Sequence, residues 1–198
     1  MVLSLVTAPT AEPLLLSEVK AFARVDGQAD DAVLDALISM ARLTFEGKDA
    51  WFGRALMTQT WDLFLPRFPC GPDDPTLDGL IGIRVPLPPL QSVTSVKYLD
   101  TAGVEQTVSA SDYVLDTKPE PGRIVPAYGK TWPSTRETVN PVAVRFVAGY
   151  GANASAVPKD IREWLKATVA FLFENREAPV LPEAFFWSLA SYKVAWRF

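Results

Sequence analysis

The placement of proline does most to restrict what this chain can fold into. Among its 17 prolines, Pro66, Pro69, Pro72, Pro75, Pro86, Pro88 and Pro89 crowd one middle stretch. Proline lacks an amide hydrogen and clashes with the carbonyl four residues back, so no long helix passes through that stretch. Helices are confined to the flanks, and the middle must be made of short strands and turns. With 198 residues, 48% of them hydrophobic, the chain is long enough and apolar enough for a substantial core, and a chain of this size buries roughly 70% of its unfolded surface. The fold class read from this is α+β: terminal α-helices packed as a small bundle, with a mostly antiparallel β-rich middle region. The expected organisation is one domain over 1–198, helical over 14–53, with a β-rich insertion over 56–150 and C-terminal helices over 158–198.

The flanks carry helical periodicity. Leu16 to Ala23 reads as a short helix closed before Asp26-Gly27, although Leu15 stands where a hydroxyl cap is usual. A second helix starts at Asp30 or Asp31 and sets Val33, Leu34, Leu37, Ile38, Ala41 and Phe45 on one face, ending between Gly47 and Gly53. Pro158 opens a third, with Asp160 and Glu163 favourable at its positive end and Ile161, Trp164, Leu165, Thr168, Val169 and Leu172 as its apolar stripe. A last helix is expected from Glu183 toward the terminus, with Phe185, Leu189, Tyr192 and Trp196 on one face and Trp187, Val194 and Phe198 on another. Strand patterns fall at 58–65, 81–85, 93–99, 104–108, 113–115, 123–125 and 142–148, with Asp100 to Gly103 as a hairpin turn.

Composition removes whole classes of chemistry. Histidine is absent, so there is no Ser-His-Asp or Cys-His nucleophile, no imidazole acid–base group and no His metal ligand. The single cysteine, Cys70, forms no internal disulfide and no thiolate cluster, which suits a reducing compartment. With 19 Lys plus Arg against 23 Asp plus Glu, the net charge of -4 argues against wrapping DNA. The apolar start Met1 to Val6 is short, lacks a basic leading region and runs into Ala8-Pro9, unlike a signal peptide. No apolar run approaches the roughly 20 residues that span a bilayer. A soluble protein is expected.

Five patterns invite a chemical reading. Gly149-Tyr150-Gly151-Ala152-Asn153-Ala154 fits the dinucleotide fingerprint after a strand, but Ser155-Ala156-Val157 separate it from the helix that should receive the pyrophosphate. Ser17 and Lys20 have the S-x-x-K spacing of some acyl-transfer enzymes, without the companion motifs. Asp73, Asp74 and Asp78 near Cys70 lack calcium-loop spacing, and Asp160 with Glu163 sits where a helix dipole attracts carboxylates in any case. The closing Tyr192-Lys193-Val194-Ala195-Trp196-Arg197-Phe198 mixes aromatics with cations, a composition of protein interfaces and of single-strand binders alike. No catalytic residue, cofactor or metal site is assigned. A small nucleotide-binding enzyme using the Gly149 loop stands as the remote alternative.

Several stretches form an ordered series: Leu16 to Asp26 followed by Asp30-Asp31, Leu37-Ile38 and Ala41-Arg42; Gly53-Arg54-Ala55-Leu56 with Gln59-Thr60-Trp61; and Pro89 to Val93 with Val96, Tyr98, Asp100 and Gly103. Pro121-Gly122-Arg123-Ile124, Trp132-Pro133, Arg136, Asn140, Val144 to Gly151, Val157-Pro158, Ile161 and Glu174-Asn175-Arg176-Glu177 continue it. Read in order, these stretches resemble the head-tail connector adaptors of tailed bacteriophages and gene transfer agents. The resemblance implies a non-enzymatic virion protein at the head-tail interface, made in the host bacterial cytoplasm. Its implied partners are its own copies in a ring of about twelve, closed through two different faces, the portal protein, and a stopper or tail-completion protein. Genome DNA would pass through the ring without sequence-specific binding, and no membrane or cofactor is involved. A head-tail stopper or tail terminator is the alternative within the same class. The expected protein-interface residues, from their apolar surplus, are Phe185, Trp187, Tyr192, Trp196, Arg197 and Phe198.

Overall fold

The computed structural model describes residues 1–69, 82–177, 180–187 and 189–194. The fold is mixed α+β with antiparallel sheets, and helices from both ends of the chain pack together. The backbone divides into two compact units, each assembled from separate stretches of sequence.

The helical unit takes Pro9–Thr58 and Tyr150–Val194. It holds α1 (Leu16–Ala23), α2 (Asp31–Phe45), α3 (Lys159–Glu174) and a four-residue α4 (Ala184–Trp187). In α1, Leu15 offers no side-chain cap; the Glu18 carboxylate instead accepts the Leu15 amide at 3.2 Å. That is the returning half of a capping box, enough to start the helix without a hydroxyl. Arg24 in the left-handed conformation closes it, with the Val25 amide on the Lys20 carbonyl.

Both α1 and α2 pack on α3. Leu34, Ile38, Ala41 and Phe45 from α2 and Ile161, Leu165 and Val169 from α3 are buried together with Val19, Phe52, Leu56, Met57 and Leu189. Val33, expected on that buried face, lies outside it and is 39% exposed, because it sits about 100° around the helix from Leu34. Ion pairs tie the helices at the rim: Arg162 of α3 to Glu18 of α1, and Lys20 to Asp31 at 2.5 Å.

The β unit takes Met1–Ala8 and Gln59–Gly149 among the described residues. Its five-stranded sheet runs β1 (Val2–Thr7), β2 (Gln59–Leu65), β8 (Val142–Ala148), β4 (Leu90–Leu99), β5 (Glu105–Thr107), every neighbouring pair antiparallel. A second sheet orders β3 (Ile83–Val85), β7 (Gly122–Pro126) and β6 (Tyr113–Asp116). The central strand β8 buries Val142, Val144, Phe146 and Ala148 on one face, the strict alternation of a strand with one dry side. On the other face Arg145 makes two 2.8 Å bonds to Asp62 of β2, directly opposite. Strand β1 has no counterpart among the strand patterns of the sequence. The N-terminal residues join the β unit by pairing Val2 to Leu5 against Trp61 to Phe64.

Candidate functional site

The C-terminal stretch is not one helix. After α4 the chain leaves helical geometry at Leu189 (φ -114°, ψ 25°), makes a single tight turn over Ala190–Tyr192, and extends at Lys193. Tertiary contacts override local propensity here. Leu189 enters the core at 6% exposure, and the Val194 amide donates to the Phe52 carbonyl at 2.8 Å.

Arg54 is the centre of this arrangement. It is 3% exposed, and its guanidinium donates from Nε to the Tyr192 carbonyl at 2.7 Å and from Nη1 to the Tyr150 hydroxyl at 2.7 Å. The same cation lies 5.6 Å from the Tyr192 ring centre and 5.9 Å from that of Tyr150. Tyr192 in turn donates its hydroxyl to Asp160 at 2.7 Å. The Asp160 carboxylate holds the phenolic proton, and with lesser help from burial this pushes the Tyr192 pKa from its ordinary value of 10 up to about 12. Nearby, Glu46 accepts the Leu56 amide and pairs with Arg42, which also grips Glu12. The bonds named here join parts of the same unit, and the cluster is a clasp for the C-terminal stretch.

Of the six residues expected at an interface, Phe185 packs against Trp164 at 4.7 Å and Phe171 at 5.3 Å, and its carbonyl accepts the Trp164 indole N–H. Tyr192 belongs to the clasp. Trp187 is 71% exposed, close to Val180 in sequence, which is exposed as well. Trp196, Arg197 and Phe198 lie outside the described residues, as do Cys70, Asp73, Asp74 and Asp78.

The remaining chemical patterns are absorbed locally. In the Gly149 loop, the Gly149 amide goes to Pro89, that of Tyr150 to Leu56, that of Ala156 to Asn153 and that of Val157 to Ala154. A side chain at Gly151 would meet the Ala156 methyl at 2.5 Å, so this glycine serves a close backbone crossing, which also carries the Thr58 to Gly151 hydrogen bond. Lys20 of the S-x-x-K pattern is held by Asp31 and the Gly27 carbonyl, and Glu163 pairs with Lys166. Among the described residues no group of three or more acidic or thiol side chains could hold a metal, and no helix is long and apolar enough to cross a membrane.

Two surfaces go unannounced by the sequence motifs. On α2, Val33, Ala36, Met40 and Leu43 are exposed at three-four-three spacing on the side away from the core, a second stripe that the helical register carries opposite Leu34 and Ile38. In the β unit, a cleft of about 460 Å³ is lined by Arg67, Phe68, Lys130 and Trp132, where the Phe68 and Trp132 rings stack at 4.8 Å and Lys130 is paired with Asp112.

No protein-family model matches this chain, and no curated protein matches it. Solved structures do, over 100% of this chain and 98% of theirs. It is similar to a chain in the neck of an empty gene transfer agent (GTA) particle computed with C6 symmetry, at 26% identity and a TM-score of 0.77. It is similar to a chain of the virion of a native GTA particle, at 26% identity and a TM-score of 0.75. A chain in the neck of a native GTA particle computed with C12 symmetry shares the fold, at 24% identity and a TM-score of 0.70. The match to a component of a phage-like particle's neck is thus full-length.

Proposed function

We propose that the chain is a structural neck protein of a phage-like particle, and within the neck a head-tail connector adaptor. Twelve copies would form a ring below the portal, extend the DNA channel and dock the next head-completion or tail protein. The observation that carries this reading is the likeness, over both full lengths, to a chain from the neck of a GTA particle. Two further features support it. The acidic balance, 23 Asp plus Glu against 19 Lys plus Arg, keeps non-specific adhesion to DNA weak, which suits a conduit. Arg54 and Tyr192 of the helical unit brace its own chain, as suits a structural part. Trp187, together with Trp196, Arg197 and Phe198, is the proposed contact to the portal or to a neighbouring copy, since exposed tryptophan and arginine dominate interface energetics.

Mass photometry of the protein mixed with the portal protein encoded beside its gene tests the reading. The expected result is a defined multiple of this chain added to each portal ring. Trp187→Ala should weaken that addition at least tenfold while leaving thermal stability unchanged. Binding to a tail-completion protein with none to the portal would replace the adaptor reading with that of a stopper or terminator.

A further inference from the structure

The outer face of α2 is apolar like its inner one. Val33, Met40 and Leu43 are 39%, 41% and 62% exposed, and Ala36 is exposed between them. The charged residues of the helix, Asp31, Asp35 and Arg42, fall within about 40° of one another around the axis. That is the flank on which Lys20 holds Asp31 and Glu12 holds Arg42. The face between Ala32 and Thr44 on the side away from the core therefore carries no charge. A helix apolar all round is ordinarily a buried one, and α2 is covered on its inner side only. Ala178, Pro179 and Ser188, the residues of the helical unit outside the described ones, are too few and too small to cover three turns.

The spacing states what kind of partner fits. Residues 33, 36, 40 and 43 recur at three, four and three, the seam positions of a left-handed helix pair, so the occupant is a helix about three turns long. The flanking residues Ala32, Leu37, Ser39 and Thr44 are uncharged, so charges on an incoming helix would be buried beside the seam without partners. Among the described helices of this chain, only α2 and α3 reach three turns. In α3 the corresponding outward positions are Glu163, Ala167, Ala170 and Glu174, and the outer face of α2 has no cation for either carboxylate. A second α2 brings no charge to the seam.

The volumes match as well. Laid antiparallel about a two-fold axis beside Ile38, the stripe sets Val33 against Leu43 of the second copy and Ala36 against its Met40. Each layer then pairs a smaller side chain with a larger one. A parallel pair would instead leave a gap between two alanines and crowd two methionines. Antiparallel helices also oppose their dipoles.

We infer that the outer face of α2 binds the same face of a second copy of this chain, as an antiparallel two-fold pair. A contact of this kind closes on itself and cannot propagate a ring, so it belongs to the free protein and does not rest on the adaptor reading. Three helical turns per copy make a small interface, so pairing is expected at micromolar concentrations.

The test mixes full-length Val33→Cys with full-length Leu43→Cys, each also carrying Cys70→Ser, under mild oxidation. The antiparallel pair puts positions 33 and 43 in one layer and keeps two copies of position 33 about 15 Å apart along the axis, beyond disulfide reach. Disulfide dimers are expected from the mixture and from neither variant alone. Sedimentation velocity over a concentration series should show the wild-type pair, and Met40→Glu should weaken it at least tenfold with unchanged circular dichroism. Ala36→Lys mixed with Met40→Glu should restore pairing. A protein monomeric at every concentration, disulfides formed within a single variant, or pairing that survives Met40→Glu overturns the inference. Portal addition that Met40→Glu abolishes in a monomeric protein also overturns it, giving the face to another protein and leaving the adaptor reading standing. A pair joined through α2 with no portal binding supports the inference and sinks the adaptor reading.

Discussion

Replacing Arg54 with methionine isolates the clasp that holds the C-terminal stretch. Methionine keeps much of the apolar stem and removes the guanidinium fork, so packing changes little while two 2.7 Å bonds, to the Tyr192 carbonyl and the Tyr150 hydroxyl, are lost. Bonds from a charged donor contribute about 1.5–3 kcal/mol each, and they are not additive where partners are shared. Arg54 is 3% exposed, so its partners are left facing little water, and about 3 kcal/mol is the expected loss. For a chain of this length that corresponds to a fall in Tm of about 6–12 °C. Because the chain folds as two units, the local assay is the sharper one. Hydrogen exchange at the Val194 amide, which is bonded to the Phe52 carbonyl, should accelerate by roughly two orders of magnitude if the clasp opens. A double-mutant cycle with Tyr150→Phe should show coupling of about 1 kcal/mol or more. Stability lowered by less than about 1 kcal/mol, with Val194 protection intact, would refute the assignment of Arg54 as the clasp.

Alkaline titration gives a second check. The Tyr192 pKa is raised to about 12 by its bond to Asp160, so the stability linked to it is complete below pH 10 and is lost as the pH climbs through 12. Tyr192→Phe should flatten that decline, read as the difference between wild-type and variant urea midpoints at pH 9 and pH 11.5, since all other alkaline groups are common to both. In the β4–β5 hairpin, Gly103 has φ +86°, a conformation that a β-branched side chain adopts only under strain. Gly103→Val should lower the stability of the β unit by about 2 kcal/mol, measured by thermal unfolding.

Periodicity makes much of this fold readable. Leu34, Ile38, Ala41 and Phe45 recur every three to four residues, and the expected start of α2 at Asp30 or Asp31 agrees with its span, Asp31–Phe45. The alternation of Val142 to Ala148 likewise marks β8 with its observed ends. Strand β4, expected from Val93, begins at Leu90, directly after the proline pair, because proline limits a strand's start less than it limits a helix. Strand β1 is illegible because five of its six residues are exposed, so no buried face imprints an alternation on it. The C-terminal helix misleads for another reason. Its course is set by Arg54, 138 residues away from Tyr192, and no local window contains both. The apolar surplus that suggests an interface is partly consumed inside the unit, where Trp164 and Phe171 of α3 take up Phe185. Trp187 keeps its exposure, and that much of the candidate surface is visible in the residues themselves.

The interleaving of the two units along the chain also sets a timetable for the ribosome. The partners that cover α1 and α2 lie on α3, which ends at Glu174, whereas α2 ends at Phe45. At 5–20 residues per second, the roughly 130 residues between them take about 6–26 s to emerge. Through that interval Leu34, Ile38 and Phe45 have no native cover from α3, while the described strands of the β unit are all synthesised by Ala148. The described strands of the β unit are thus made before α3, for which the helical unit must wait. Early nascent helices are therefore the stage at which this protein has most need of a chaperone.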